Sequence, residues 1–329
     1  EGEYHRHPSA GNEKQDEAAL RGRPYGLGPR VPMYVISPWS RGGWVDSHVY
    51  DHTSVIRLIE RRFGVAAPDI SAWRRAVCGD LTAAFDFSQI DNRPFAHALP
   101  ATAATAARAA ALPARTVPVP PQALEPARQE PGVRPSRALP YRPDVAIQTD
   151  PQAGEIRLTL ACEGAATVLH VYDLLRLDAL PRRYTVGPGK QLQGSWPLHA
   201  EQGYDLWVLG ANGFHRRFRG SAQAPMPVEM EIERVADGMV LQLRNPGLAP
   251  VSVAVRGAAY PGLMPERSLS LDAGEAARIT WPAAPTGAWY DLQVQQPGAR
   301  QRLAGRAENG QPGSSDPAMG TAPLRLEVG

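Results

Sequence analysis

The chain has 329 residues and carries 35 Lys and Arg against 33 Asp and Glu, a formal net charge of +2. That balance gives no whole-chain case for binding nucleic acid, and no apolar run reaches the ~20 residues of a membrane-spanning helix. The length allows two or three domains, and 33 Pro, about twice the ordinary share, point to linkers and turn-rich β structure.

The chain opens on Glu1, and Glu1–Arg23 is polar, with His5, His7 and Pro8 and no visible export signal. The first clear element is Val31-Pro-Met-Tyr-Val-Ile-Ser37, a short apolar run after a Gly-rich turn (Gly26, Gly28) and before Pro38. It predicts a strand buried on both faces. A loop follows, Trp39-Ser-Arg-Gly-Gly-Trp44. Asp51 or Thr53 then caps a helix whose apolar face carries Val55, Ile59 and Phe63, widened by Ile56 and Leu58, with Gly64 as its stop. A second helix is expected around Ser71–Cys78. One doubly buried strand needs hydrogen-bonding neighbours, yet residues 1–90 offer no second convincing strand. The expectation is therefore a piece of a larger α/β domain whose other strands precede Glu1.

Residues 93–143 read as a linker: Ala101–Ala111 is nearly all Ala and Thr, and Pro113, Pro118, Pro120, Pro121, Pro126, Pro131, Pro135, Pro140 and Pro143 follow. Arg134, Arg137 and Leu139-Pro-Tyr141 have the make-up to pack along a domain surface. From Asp144 onward the apolar residues alternate with period two, in seven strands up to residue 219 and seven more over 228–304. Gly189 pairs with Gly274, Trp196-Pro197 with Trp281-Pro282, Tyr204-Asp-Leu206 with Tyr290-Asp-Leu292, and Arg217-Phe-Arg-Gly220 with Arg302-Leu-Ala-Gly305. These anchors recur at an offset of about 85 residues, the length of a small domain rather than of a solenoid repeat. The expected domains are 1–92 (α/β portion), 93–143 (linker), 144–223 and 224–308 (tandem all-β sandwiches) and 309–329 (disordered tail). Cys78 and Cys162 fall in different domains, so no disulfide is expected between them.

Two clusters carry candidate chemistry. Asp51-His52-Thr53-Ser54 follows the predicted strand and opens a helix, where a carboxylate, an imidazole, two hydroxyls and a positive helix end suit a phosphate or a metal. Helix capping alone accounts for most of that pattern. Trp39, Arg41 and Trp44 suit a phosphate or a cationic head group, or simply pack a Gly-hinged loop on its domain. His5, His7 and His48 show no metal-ligand spacing. Arg61-Arg62 and Arg74-Arg75 fit solvated helix faces. Trp196, Trp207, Trp281 and Trp289 suit either a binding platform or a sandwich core, and the repeat of Trp196 at Trp281 favours the core.

Several long segments resemble one family. Tyr25–Trp44, Val49–Gly64 and Trp73–Phe87 resemble consecutive late blocks of the bacterial phosphocholine-preferring phospholipases C, members of the phosphoesterase family. Gln129–Tyr141 resembles that family's linker, and the tandem modules resemble its paired C-terminal domains. The resemblance implies a multi-domain protein: the closing strand and helices of an alkaline-phosphatase-like α/β domain, then two all-β sandwiches.

It also implies a bacterial, exported enzyme, secreted or periplasmic, that hydrolyses phosphatidylcholine to diacylglycerol and phosphocholine, with sphingomyelin as a second candidate substrate. A divalent metal would assist an upstream nucleophile. The family's nucleophile and its acidic metal-binding segments would precede Glu1, so Asp51, His52 and Ser54 are matched to a family block without being assigned as ligands. This chain alone is expected to be inactive, with phospholipid, a peripheral membrane surface and no nucleic acid as partners of the parent enzyme. Two alternatives stand beside this: a non-catalytic tandem β-module for lipid or surface binding, and a phosphomonoesterase of the same family.

Overall fold

The computed structural model describes residues 27–28, 31–88, 90, 101–114, 116, 119, 130–224, 227–236, 238–260, 262 and 266–320. The expectations placed on Glu1–Arg23, with His5 and His7, on Gly26 and on residues 321–329 lie outside them.

Period-two patterning becomes strand throughout the second half of the chain. The first module contains β2 (Tyr141–Asp150), β3 (Glu155–Gly164), β4 (Thr167–Asp173), β5 (Arg182–Val186), β6 (Lys190–Pro197), β7 (Tyr204–Leu209) and β8 (His215–Gly220). The second contains β9 (Glu229–Val235), β10 (Gly238–Arg244), β11 (Val251–Gly257), β12 (Arg267–Leu271), β13 (Ala276–Pro282), β14 (Trp289–Gln296) and β15 (Ala299–Arg306). In β3 every second side chain from Ile156 through Leu158 and Leu160 to Cys162 is buried, as the pleat requires.

Each module closes its core between two sheets. In the first, β2-β3-β6 covers half of a large sheet, with Ile156, Leu158, Leu169, Tyr184, Trp196 and Phe218 between them. In the second, β9-β10-β13 covers the other half, over Met239, Leu241, Val255, Ile279, Trp281 and Leu303. The large sheet has eight strands in the order β12-β11-β14-β15-β8-β7-β4-β5. The modules are thus two sandwiches fused edge to edge through antiparallel β8 and β15. Fusion removes two exposed strand edges, each of which would otherwise invite association with another chain.

The repeated sequence anchors explain themselves here. Tyr204 lies opposite Gly220, and Tyr290 opposite Gly305. A Cβ on Gly220 would come within 2.7 Å of the Tyr204 Oη, so the ring lies where only glycine leaves room. Asp205 holds Arg217 through two hydrogen bonds of 2.9 and 2.8 Å, and Asp291 holds Arg302 through two of 3.0 and 2.8 Å.

Three expectations differ from the structure. Residues 31–37 form no ladder: Tyr34 is 86% and Ile36 94% exposed. The run has the hydrophobicity of an interior strand, but no described strand lies beside it. The segment read as linker contains α3 (Ala103–Ala110) and β1 (Pro135–Ser136). Nor is the described part of the tail loose. Its β16 (Gly313–Ser314) pairs with β1, the Ser314 carbonyl accepts from Trp289 Nε1 at 2.8 Å, and Tyr260 Oη donates to Asp316. Backbone and single polar groups hold this stretch, which low apolar content did not announce. Cys78 and Cys162 are both buried and free.

Candidate functional site

Residues 45–88 gather against the first module. Two helices shape the segment: α1 (His52–Phe63) and α2 (Ala72–Val77), followed by a 3-10 turn at Thr82–Ala84. Asp51 caps α1. Its carboxylate accepts from Thr53 N at 2.9 Å and Thr53 Oγ1 at 2.6 Å, while its own N–H donates to Ser54 Oγ at 3.1 Å. Gly64, at φ 69°, ends the helix with a left-handed turn. The other Asp51 oxygen pairs with Arg74 from α2. Burial works to raise the Asp51 pKa, but the Thr53 bonds and the Arg74 ion pair outweigh it and hold the carboxyl below its usual range.

Of this quartet, then, Asp51, Thr53 and Ser54 are engaged in a capping box, with Ser54 fully buried. His52 is exposed on the first turn. Trp39 packs on Phe87, with ring centroids 5.9 Å apart. The cation over Trp44 is Arg137, 4.4 Å from the ring centroid, supplied from beyond β1. Arg41 is half-buried in the turn between the two Trp residues.

The structure also assembles a cluster that residue types alone did not flag. Asp46 receives His48 Nδ1 at 2.6 Å and Tyr50 Oη at 2.7 Å; the His48 ring stacks on Tyr50 at 5.8 Å and meets Tyr141 edge-on at 6.0 Å. Burial opposes ionisation of Asp46, but the His48 and Tyr50 hydrogen bonds prevail and lower its pKa. Tyr141 Oη in turn accepts from Val49 N at 3.1 Å. The signal was the i, i+2, i+4 spacing of Asp46, His48 and Tyr50, which puts all three on one side of an extended chain.

This cluster forms one half of a seam. The other half is Trp73, whose Nε1 donates to Thr185 Oγ1 on β5 at 2.9 Å; Trp73, Val77 and Cys78 pack together against Val49 and Val168. Val45 adds a backbone bridge to Ser136, with bonds of 2.8 and 2.9 Å to Pro135 and Arg137. Opposite the seam, the α1 side chains Val55, Ile56, Ile59 and Phe63 are exposed. Such an apolar stripe on a helix matches one that packs on a sheet.

Among the described residues no group of three His, Cys, Asp or Glu side chains stands close enough to hold a metal. Asp51 is committed to Arg74 and the cap, and Asp46 to His48 and Tyr50. These residues therefore do not fit the divalent ion implied by the resemblance. Two of the module tryptophans, Trp196 at 3% and Trp281 at 8% exposure, sit in the sandwich cores. They hold the modules together and form no platform. No described helix is long and apolar enough to cross a membrane.

Comparison with known proteins gives consistent matches. The family model for the bacterial phospholipase C, C-terminal domain, matches residues 135–221 and 225–306, and the phosphoesterase family model matches residues 1–66. The chain is 44% identical over 316 residues to a non-hemolytic phospholipase C of Pseudomonas aeruginosa, covering 92% of this chain and 45% of that protein. It is 41% identical over 330 residues to a non-hemolytic phospholipase C of Burkholderia pseudomallei, covering 95% and 46%. A hemolytic phospholipase C of Pseudomonas aeruginosa is 37% identical over 341 residues, covering 92% and 46%. The chain thus spans about half the length of the curated relatives it matches.

Proposed function

The chain belongs to the family of the bacterial phospholipase C C-terminal domain, and from that premise we propose that it completes and braces the catalytic domain of a phosphatidylcholine-hydrolysing phospholipase C. The observation that carries this reading is the two-sided character of residues 45–88. One side is fixed to the first module through Trp73–Thr185 and Val49–Tyr141. The other side leaves the apolar stripe of α1 open. In this reading the stripe, and the exposed run at 31–37, pack on the remaining sheet of an alkaline-phosphatase-like α/β domain, and the modules anchor that domain through the seam.

The parent enzyme, exported from a bacterial cell, releases phosphocholine from phosphatidylcholine, with sphingomyelin as a further substrate. A divalent metal would supply Lewis acidity there, with ligands other than Asp46 and Asp51. Asp51, Thr53 and Ser54 set the start of α1, and His52, Trp39 and Arg41 are the candidates for contact with phosphate or head group. Trp44 is stacked under Arg137 and serves the seam.

The test is turnover of phosphatidylcholine and of a chromogenic phosphocholine ester, with added divalent metal. The 329-residue chain is expected to show none. A fusion to the portion of the Pseudomonas non-hemolytic relative that this chain does not cover is expected to turn over both substrates. Hydrolysis by the chain alone overturns the reading, as does an inactive but folded fusion.

A further inference from the structure

Beyond the corner of β4 and β5 where Trp73 covers Val168 and Thr185, the outer face of the eight-stranded sheet is opposite in character to its core face. One cross-strand row runs Tyr172, Trp207, Arg217, Arg302, Gln293, Arg256. The next runs Asp205, Arg219, Arg300, Gln295. Five arginines from both modules thus share one face with Asp205 and Asp291; Asp205 holds Arg217 and lies 3.8 Å from Arg219, and Asp291 holds Arg302. Arg219, Arg256 and Arg300 are exposed. On a chain of net charge +2, this is a local concentration of positive charge on a broad sheet face.

At one end of that face the β4–β5 connection, Leu174-Leu-Arg-Leu-Asp-Ala-Leu-Pro181, projects outward. Its root is fixed: Leu174 N–H donates to Asp205 O at 2.8 Å, and Asp173 accepts from Leu175 N at 3.1 Å and Arg176 Nε at 2.8 Å. Its tip is apolar: Leu175 is 37%, Leu177 71% and Leu180 51% exposed. Arg176 and Asp178 cancel in charge, and Arg182 and Arg183 follow directly. Three leucines are thus presented to water on a hydrogen-bonded base. A soluble surface seldom collects apolar side chains this way without a use for them.

We propose that this leucine loop inserts into the interfacial layer of a phospholipid bilayer while the arginine face lies against its anionic head groups. The partner is a lipid surface because apolar tip and basic flank are presented together, the pairing that interfacial binding requires. Tyr172 and Trp207, with ring centroids 5.6 Å apart, stand between loop and arginines, and amphipathic rings suit head-group depth. The choice of lipid rests on the phospholipase reading above, but the docking itself needs no catalysis and is measured without it.

The experiment is co-sedimentation of the 329-residue chain with vesicles of phosphatidylcholine, alone or mixed with phosphatidylglycerol. The chain is expected to bind both, and the mixed vesicles more tightly at low salt. Replacing Leu175, Leu177 and Leu180 together by Ser is expected to weaken partitioning on the order of tenfold per leucine, with an unchanged melting temperature because all three sites are exposed. Arg219→Gln with Arg300→Gln is expected to weaken binding only to the mixed vesicles. Leu177→Cys labelled with an environment-sensitive dye is expected to shift to the blue on vesicles. Absent sedimentation, full binding by the triple variant, an unshifted dye, or retention on a soluble polyanion without vesicle binding each overturns the proposal. None of these outcomes touches the turnover test, so the two readings fail separately.

Discussion

Arg217 and Arg302 stand directly opposite each other on β8 and β15, at the centre of the shared sheet. They are also equivalent positions of the 85-residue repeat, so the local two-fold axis relating the modules passes between them. Two like charges at a cross-strand pair are unfavourable. Each is drawn back by its own module's carboxylate, Asp205 or Asp291, both largely buried. Asp205→Ala therefore removes a bidentate bond and releases the repulsion at once. We expect a loss of about 1–3 kcal/mol, read from urea unfolding, with Asp291→Ala costing a similar amount. Adding Arg217→Met to Asp205→Ala should recover part of the loss, and a strictly additive double variant would sink this account.

Gly220 predicts a steric effect. Its α-carbon lies under the Tyr204 ring, and a methyl group there would meet Tyr204 Cζ at 2.8 Å as well as the hydroxyl. Gly220→Ala must displace a buried ring, at a cost of about 1–3 kcal/mol. Trimming the ring in a Gly220→Ala/Tyr204→Leu double variant should relieve part of that cost. Differential scanning calorimetry of the three proteins separates the clash from any change in strand propensity.

The β half of this fold was legible because its signals are local. Alternation set the strands within a few residues, and the Tyr-Asp-Leu and Arg-x-x-Gly anchors recurred because each pair builds one cross-strand unit. The cap at Asp51 was equally local. The fused sheet was not legible: β8 reads His-Arg-Arg-Phe-Arg, and nothing in that string says that a strand 85 residues away will lie beside it. Residues 31–37 show the converse limit. Their hydrophobicity states what they would bury against, and the structure decides whether a neighbour is present. The candidate site divided in the same way: capping chemistry was visible, whereas the Asp46–His48–Tyr50–Tyr141 cluster depends on the His48–Tyr141 contact, 93 residues apart, that only the folded seam supplies.

Stability should fall with acidity in two separate windows. His170 and His215 have pKa values pushed down from 6.5 to about 4, by burial first and then by Arg183 and Arg302 respectively. Their folded values lie below their unfolded ones, so protons favour the unfolded chain. Stability is fully present above pH 6.5, declines as pH falls toward 4, and levels off for these groups below that. The depressed carboxylates Asp46, Asp51 and Asp80 act later, losing their contribution as pH falls below their unfolded value of 3.8. His170→Gln is expected to flatten the upper window without moving the lower one. A wild-type melting temperature unchanged between pH 7 and 4.5 would remove the basis for this claim.

The seam predicts how the two halves of the chain come apart. Trp73 gives the first module both a hydrogen bond to Thr185 and the centre of the small cluster with Val77 and Cys78. Tyr141 gives only an acceptor for Val49 N and a ring edge for His48. Trp73→Ala should therefore free residues 45–88 from the module, since it removes a buried side chain worth about 3–5 kcal/mol. Trp73→Phe should keep the packing and lose about 1 kcal/mol with the hydrogen bond. The modules, with separate cores, should keep their melting transition in both variants. Limited proteolysis checks this: cleavage within 45–88 should quicken strongly for Trp73→Ala and little for Trp73→Phe, while 141–306 survives as a resistant core. Equal protection of residues 45–88 in wild type and Trp73→Ala would mean that the β1 bridge at Val45 and the Arg137–Trp44 stack hold the halves together instead.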